Sequence, residues 1–165
     1  MNQYEFTLKF QYPHEEEVQL ATVENCLYEN GCDDALVGLG RHGRIALQFN
    51  RGGKSAEEVI QRAIEDVLRA LPDAQLIEAG PDCVGFTEIA DILGCSRQNV
   101  RKLSETHAKT FPLPFHDGSS SLWHLSDVLD WLSTNQKRQV SSDLREVSRA
   151  TMRINIAREA RRLAS

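Results

Sequence analysis

Apolar and polar side chains alternate over residues 4–10 of the chain. Tyr4, Phe6, Leu8 and Phe10 occupy every second position of YEFTLKF, which is the spacing of a strand with one buried face. Apolar residues then recur at helical spacing over about residues 15–29. The pattern therefore predicts a strand followed by a helix.

Four further elements are predicted in the first half of the chain. ALVGLG and RIALQFN are rich in strand-forming residues, and the glycines of the intervening GRHG suit a tight hairpin turn. Ser55 and Glu58 have capping-box spacing before an apolar stripe at helical period, and AQLIEA has the pattern of a short strand. The order βαββαβ is the plan of a ferredoxin-like sandwich, so we expect an α+β module over residues 1–80.

The segment GPD, at residues 80–82, is the predicted hinge before a second module. In the stretch FTEIADILGCSRQNVRKL that follows, Thr87 is placed to cap a first helix, Gly94 to end it and Ser96 to cap a second. Val100 and Leu103 form the apolar side of the second helix, which leaves its polar residues facing outward.

The same stretch has the spacing of a helix-turn-helix. Two short helices that cross closely need a small residue at the crossing point, here Ala90, and a glycine in the turn, here Gly94. The apolar positions of the pattern are occupied by Ile89, Leu93, Cys95, Val100 and Leu103.

The next segment, FPLPFHDGSSSLWHLSDVLDWL, narrows the type of helix-turn-helix. It predicts an extended arm, a loop over residues 116–121, a return strand through Trp123 and a helix capped by Ser126. Over roughly residues 83–133 the layout resembles the winged helix-turn-helix of excisionase and MerR-type DNA-binding domains. The loop departs from such wings because it contains Asp117 and has no Arg or Lys.

The resemblance implies that the helix at about residues 96–107 lies in the major groove of double-stranded DNA. Arg can bind guanine O6 and N7 together, Gln and Asn can bind adenine N6 and N7, and Ser or Lys can hold phosphates. The candidate DNA-binding residues are Ser96, Arg97, Gln98, Asn99, Arg101, Lys102, Ser119 and Ser120.

Charge divides the chain in two. Residues 1–82 carry 7 Lys and Arg against 15 Asp and Glu, a net charge of −8, whereas residues 83–165 carry 12 against 9, a net charge of +3. The second half therefore suits a polyanionic partner, and the acidic first half suits a different one.

Residues 137–165 predict a basic amphipathic helix, with 8 Lys and Arg against 3 Asp and Glu. Such a helix could join two copies of the chain, bind a partner protein or contact phosphates, and the open sheet of the first module competes for the first of these roles. The arginines available for phosphate contact are Arg145, Arg149, Arg153, Arg158, Arg161 and Arg162.

Other classes of protein have little support. The loop QYPHEEE lacks the glycine and arginine segment with which an acylphosphatase of the same plan holds phosphate, so we do not expect an enzyme. Four cysteines without metal-ligand spacing predict reduced, mostly buried thiols and no cofactor. With no signal-peptide pattern and no apolar run of membrane-spanning length, we expect a cytoplasmic protein without a membrane partner.

Three functional hypotheses remain open from the sequence. The leading one is a sequence-specific transcriptional regulator, a repressor that binds double-stranded DNA as a homodimer. The second is an antitoxin-type protein that autoregulates through its helix-turn-helix and masks a partner protein through the acidic N-terminal module or the C-terminal helix. The third is an excisionase-like accessory factor that bends DNA.

Overall fold

The computed structural model describes residues 2–13 and 19–165 as a mixed α+β structure. In chain order its elements are β1 (Asn2–Gln11), α1 (Leu20–Glu29), β2 (Ala35–Leu39), β3 (Arg44–Gly53), α2 (Ala56–Ala70), β4 (Gln75–Gly80), β5 (Cys83–Val84), α3 (Phe86–Leu93), α4 (Arg97–Thr106), β6 (Trp123–His124), α5 (Leu125–Asn135) and α6 (Ser142–Ala164). The predicted start of α1, near residue 15, lies outside the described residues.

The first four strands form one antiparallel sheet in the order β2-β3-β1-β4. Phe6 lies opposite Phe49 and Leu8 opposite Leu47, so that the alternating apolar residues of β1 and β3 share a buried face. Helix α1 packs into the same core through Val23 and Leu27, and helix α2 packs into it through Ile60. The strand predicted from the first ten residues is confirmed, because one face of that strand is buried throughout.

The predicted turn and helix cap in this half are also confirmed. A short 3₁₀ turn, Arg41–Gly43, joins β2 to β3, and Gly43 has a φ of 76° there. The oxygen of the Ser55 side chain accepts a hydrogen bond from the Glu58 N–H at 3.2 Å, which caps α2. Both signals depend on neighbours in the chain, which is why sequence alone could find them.

A second cluster of buried residues is built from α3, α4, α5 and the two-stranded sheet β5-β6. Trp123 and Trp131 both pack edge-on against Phe111, with ring centroids 5.7 and 5.0 Å apart. The Trp123 indole also donates a hydrogen bond to the Pro112 carbonyl at 2.8 Å. These aromatic contacts hold the segment that leads to the 116–121 loop against the helices.

Two predicted caps in this half are each wrong by two residues. Helix α3 begins at Phe86 with Gly85 as its N-cap, and the Glu88 carboxylate accepts the Gly85 N–H at 3.0 Å, so Thr87 lies inside the first turn. Strand β6 leads directly into α5, which places His124 at the N-cap and buries Ser126 in the helix.

Helix α6 packs on the rest of the chain along much of its length. Val147, Ala150 and Ile154 are buried in the core of the four-stranded sheet, and Leu144 packs against the second cluster. The helix spans Ser142–Ala164, five residues shorter at its start than the predicted segment. It therefore bridges the two clusters of buried residues.

The described residues contain neither a disulfide nor a group of side chains that could bind a metal ion. All four cysteines are free, but only Cys32 is buried, so the prediction of mostly buried thiols is wrong. No three His, Cys, Asp or Glu side chains in residues 2–13 and 19–165 converge in a way that would hold a metal ion. Over the same residues, each helix is too short or too polar to cross a membrane.

Candidate nucleic-acid interface

The turn between α3 and α4 sets the direction of the candidate recognition helix. Gly94 adopts a left-handed conformation with a φ of 69°, and the Cys95 N–H returns to the Ala90 carbonyl at 3.0 Å. The Ser96 side chain then accepts the Asn99 N–H at 3.1 Å. The predicted ends of both helices at this turn, Gly94 and Ser96, are confirmed.

Helix α4 buries one side and exposes the other. Val100 is 1% exposed and Leu103 packs against the same cluster, whereas every predicted DNA-binding residue on this helix is at the surface. These exposed residues are Arg97, Gln98, Asn99, Arg101 and Lys102. One turn of helix separates Arg97 from Arg101, so their side chains project from the same side.

A groove of about 560 Å³ lies between α4, the start of α3 and the loop at residues 118–122. It brings together four of the predicted residues: Arg97, Arg101, Ser119 and Ser120. Gln98, Asn99 and Lys102 are exposed on α4 outside the groove lining, and Ser96 is occupied as the helix cap.

The basic side chains on α4 are largely available to a ligand. Within the described part of the chain, Arg97 and Lys102 form no ion pair, and Arg101 pairs with Glu105 at 3.3 Å with both side chains 68% exposed. An exposed pair of this kind contributes little stability and is readily exchanged for another anion. Glu88 also lines the groove, but its carboxylate accepts a hydrogen bond from the Gly85 N–H.

The loop opposite α4 is anchored at its base. His116 and Leu122 form an isolated antiparallel bridge, and the Phe115 N–H donates to the Leu122 carbonyl at 2.9 Å. The Asp117 carboxylate accepts a hydrogen bond from the Ser121 hydroxyl at 2.9 Å. Fixed at both ends, the loop presents Ser119 and Ser120 at the surface.

The predicted tail arginines are mostly occupied by partners within the chain. Arg145 and Arg149 pair with Asp130, Arg153 pairs with Glu57, and Arg158 and Arg162 pair with Glu159. Arg161 forms no ion pair among the described residues, and its guanidinium donates to a carbonyl of its own helix. The tail therefore presents a mixed surface instead of a continuous basic stripe.

The junction next to this site contains contacts that the sequence did not reveal. Asp82 in the predicted hinge is 4% exposed, and its carboxylate lies 2.8 Å from both His124 Nδ1 and Asn155 Nδ2. Its backbone carbonyl accepts the Leu125 N–H at 2.7 Å. The segment predicted as a hinge is thus a fixed connection between β6, α5 and α6.

Comparison of the chain with family models, curated proteins and solved structures returned no match.

Proposed function

We propose that the chain is a sequence-specific DNA-binding transcriptional regulator, acting as a repressor. In this proposal residues 1–80 form a ferredoxin-like sandwich, residues 83–133 a winged helix-turn-helix and residues 116–121 the loop of its wing. The partner is double-stranded DNA, bound by a homodimer of the chain.

The observation that carries the proposal is the exposed face of α4. Five hydrogen-bonding or basic side chains of α4, at positions 97–99, 101 and 102, face solvent on either side of the buried Val100, and two of them, Arg97 and Arg101, line the open groove. Short polar and basic side chains at the start of a second helix are the set that reads base edges in the major groove.

The exposed residues have separable roles in the proposal. Gln98 and Asn99 lie in the first turn of α4, where amides can bind adenine N6 and N7. Arg97 and Arg101 line the groove beside the wing, where they bind a guanine edge or a backbone phosphate. Ser119 and Ser120 offer neutral hydrogen bonds to phosphate, consistent with a wing that has no basic residue.

Fluorescence anisotropy tests the proposal. Labelled duplex from the upstream region of its own coding sequence is compared with a scrambled duplex at two salt concentrations, using the wild-type chain and the Arg97→Ala, Gln98→Ala, Arg101→Ala triple variant. If Arg101 holds a base edge, its removal alone costs roughly 1–3 kcal/mol of specific binding, and if it holds a phosphate, the salt slope falls by about one.

A matched control removes the same residue types from α2, as Gln61→Ala, Arg62→Ala and Arg69→Ala. These side chains are exposed on the first module, away from α4. The control should bind like the wild type. Unchanged binding by the α4 triple variant would refute the assignment of α4 as the recognition helix. Equal and salt-sensitive binding of both duplexes would show that binding is not sequence-specific.

A further inference from the structure

The two edge strands of the four-stranded sheet differ in whether another part of the chain bonds to their backbone. At the β4 edge, Asn155 and Arg158 of α6 bond to the backbone of Ala79 and Leu76. At the opposite edge, β2 pairs with β3 alone among the described residues. One edge is therefore covered by α6, whereas the other is paired by no strand of residues 2–13 and 19–165.

The backbone groups on the free edge can be assigned. The Gly40 N–H donates to the Arg44 carbonyl at 2.7 Å across the hairpin, which makes Gly40 and Arg44 a hydrogen-bonded pair. By the alternation of an antiparallel ladder, Leu36 and Gly38 also bond to β3, whereas Val37 and Leu39 direct their N–H and C=O groups outward.

Ala35 fits the same alternation. Its N–H turns away from β3 and donates to the Cys32 carbonyl at 3.3 Å. The outward donors of the strand are therefore those of Val37 and Leu39.

Strand β2 has none of the features that protect an edge from pairing. Its sequence, ALVGL, contains no charge, no proline and no bulge, and Leu36 is 73% exposed. Natural edge strands are usually protected by lysine, proline, bulges or a covering element, and α6 supplies such a cover at the β4 edge. The free edge is thus suited to another strand.

We propose that two copies of the chain pair through β2, antiparallel, with Val37 on the two-fold axis. In this register the two Val37 residues exchange two hydrogen bonds, and each Leu39 N–H meets the partner's Ala35 carbonyl. Leu36 then lies opposite the partner's Gly38 on the same face of the sheet, so the exposed leucine packs over a residue without a side chain. The interface is self-complementary, as a two-fold dimer requires.

The charges at the two ends of β2 favour a second copy of this chain as the partner that pairs with the strand. The same register places Asp33, just before the strand, beside the partner's Arg41, just after it. Both residues are exposed, and neither forms an ion pair with the described residues of its own chain. The dimer brings two such opposite-charge pairs together, one at each end of the joined strands.

Pairing through β2 does not depend on DNA binding, because only β2 and its flanking residues take part in it. A five-residue strand makes a short interface, so we expect a dimer with a dissociation constant in the micromolar range.

Sedimentation velocity over a concentration series tests the pairing. Asp33→Arg and Arg41→Asp each turn two attractive pairs into repulsive ones, and each should weaken the dimer roughly tenfold. The double variant Asp33→Arg, Arg41→Asp should restore it. Asp73→Arg, which makes the same charge change in an exposed loop away from β2, should dimerise like the wild type.

Amide hydrogen exchange locates the interface. The N–H groups of Val37 and Leu39 should be protected from exchange at high protein concentration. In the Leu36→Lys variant they should exchange at least tenfold faster. This substitution lies on the exposed face of the sheet, so the variant should keep the far-ultraviolet circular dichroism of the wild type. A monomer at every concentration, failure of the double variant to restore the dimer, or a dimer with unprotected Val37 and Leu39 amides would each overturn the proposal.

Discussion

The side chain of Asn155 pairs with the backbone of Ala79 at both of its polar atoms. Asn155 Oδ1 accepts the Ala79 N–H at 2.9 Å, and Nδ2 donates to the Ala79 carbonyl at 2.8 Å. Ala79 is fully buried, so without Asn155 these two backbone groups on the edge of β4 would lose the only partner that the described part of the chain gives them there. A single amide on α6 thus takes the place of a neighbouring strand.

Replacing Asn155 with alanine should destabilise the chain by about 2 kcal/mol or more, because it leaves a buried donor and a buried acceptor unsatisfied. The free energy of unfolding in urea measures the loss. Gln61→Ala on the exposed side of α2 is the control and should change stability by less than about 0.5 kcal/mol. Equal stability of the two variants would show that the Asn155 contacts are dispensable.

The carboxylate of Asp82 connects the two clusters of buried residues through His124 and Asn155. Asp82→Ala should lower stability by roughly 2 kcal/mol, since hydrogen bonds to a buried charged group are lost. Both tryptophans of the chain, Trp123 and Trp131, lie in the second cluster and report its unfolding by fluorescence.

The urea midpoint of tryptophan fluorescence should therefore fall in Asp82→Ala. Asp73→Ala, in an exposed loop, should keep the midpoint of the wild type. A midpoint that does not move in Asp82→Ala would mean that the second cluster folds independently of this connection.

The elements of the fold were predictable where the signal is local. The alternation in β1, the cap at Ser55 and the turn at Gly94 each depend on a few neighbouring residues, and each is confirmed. The position of α6 was not predictable, because its contacts with Ala79 and Leu76 join residues more than 70 positions apart. A helical period shows which residues share a face but does not identify the surface that covers them.

The residues of the candidate site could be predicted from the sequence, but the contacts around them could not. The residues of α4 named from the helix-turn-helix spacing are all exposed. The ion pairs that occupy the tail arginines could not be read from composition, since a count of charges does not show where the acidic partners lie. The burial of Asp82 was missed because GPD has the composition of a loop, and only the contacts with His124 and Asn155 reveal its role.

Cys83 and Cys32 should differ in their reaction with iodoacetamide. Burial raises the pKa of the Cys32 thiol to about 11, and Cys32 is 3% exposed. Partial burial, together with the nearby carboxylates of Glu78 and Asp82, also raises the pKa of the Cys83 thiol, but Cys83 remains exposed at the surface. At pH 8 we expect Cys83 to be alkylated first and Cys32 only after unfolding, because the thiolate is the reactive form and must be reached by the reagent.

Mass spectrometry of timed digests measures both cysteines together. Because the pKa of the Cys83 thiol is raised, its thiolate fraction is smaller than that of the same cysteine in the unfolded chain, and its rate of alkylation should increase as the pH rises. Reaction of the chain unfolded in urea supplies the reference rate for each cysteine. Labelling of Cys32 as fast as Cys83 in the folded chain would contradict the burial of Cys32.

Glu105 lies one turn further along α4 than Arg101 and partly neutralises its charge. If the proposed function is correct, removing the charge of Glu105 should change the affinity for DNA. Glu105→Gln frees the guanidinium and removes a negative charge from the face that approaches phosphate. An exposed pair is worth at most about 1 kcal/mol, so affinity for the specific duplex should rise by roughly two- to fivefold in low salt, and the gain should shrink as salt screens the charges.

Anisotropy titrations at two salt concentrations measure the gain. Glu65→Gln makes the same change on the exposed side of α2 and should leave affinity nearly unchanged, which separates a local effect at α4 from the change in net charge. If both variants gain affinity equally, binding follows the overall charge of the chain. If Glu105→Gln alone gains, the face of α4 that contains Arg101 and Glu105 lies against the DNA.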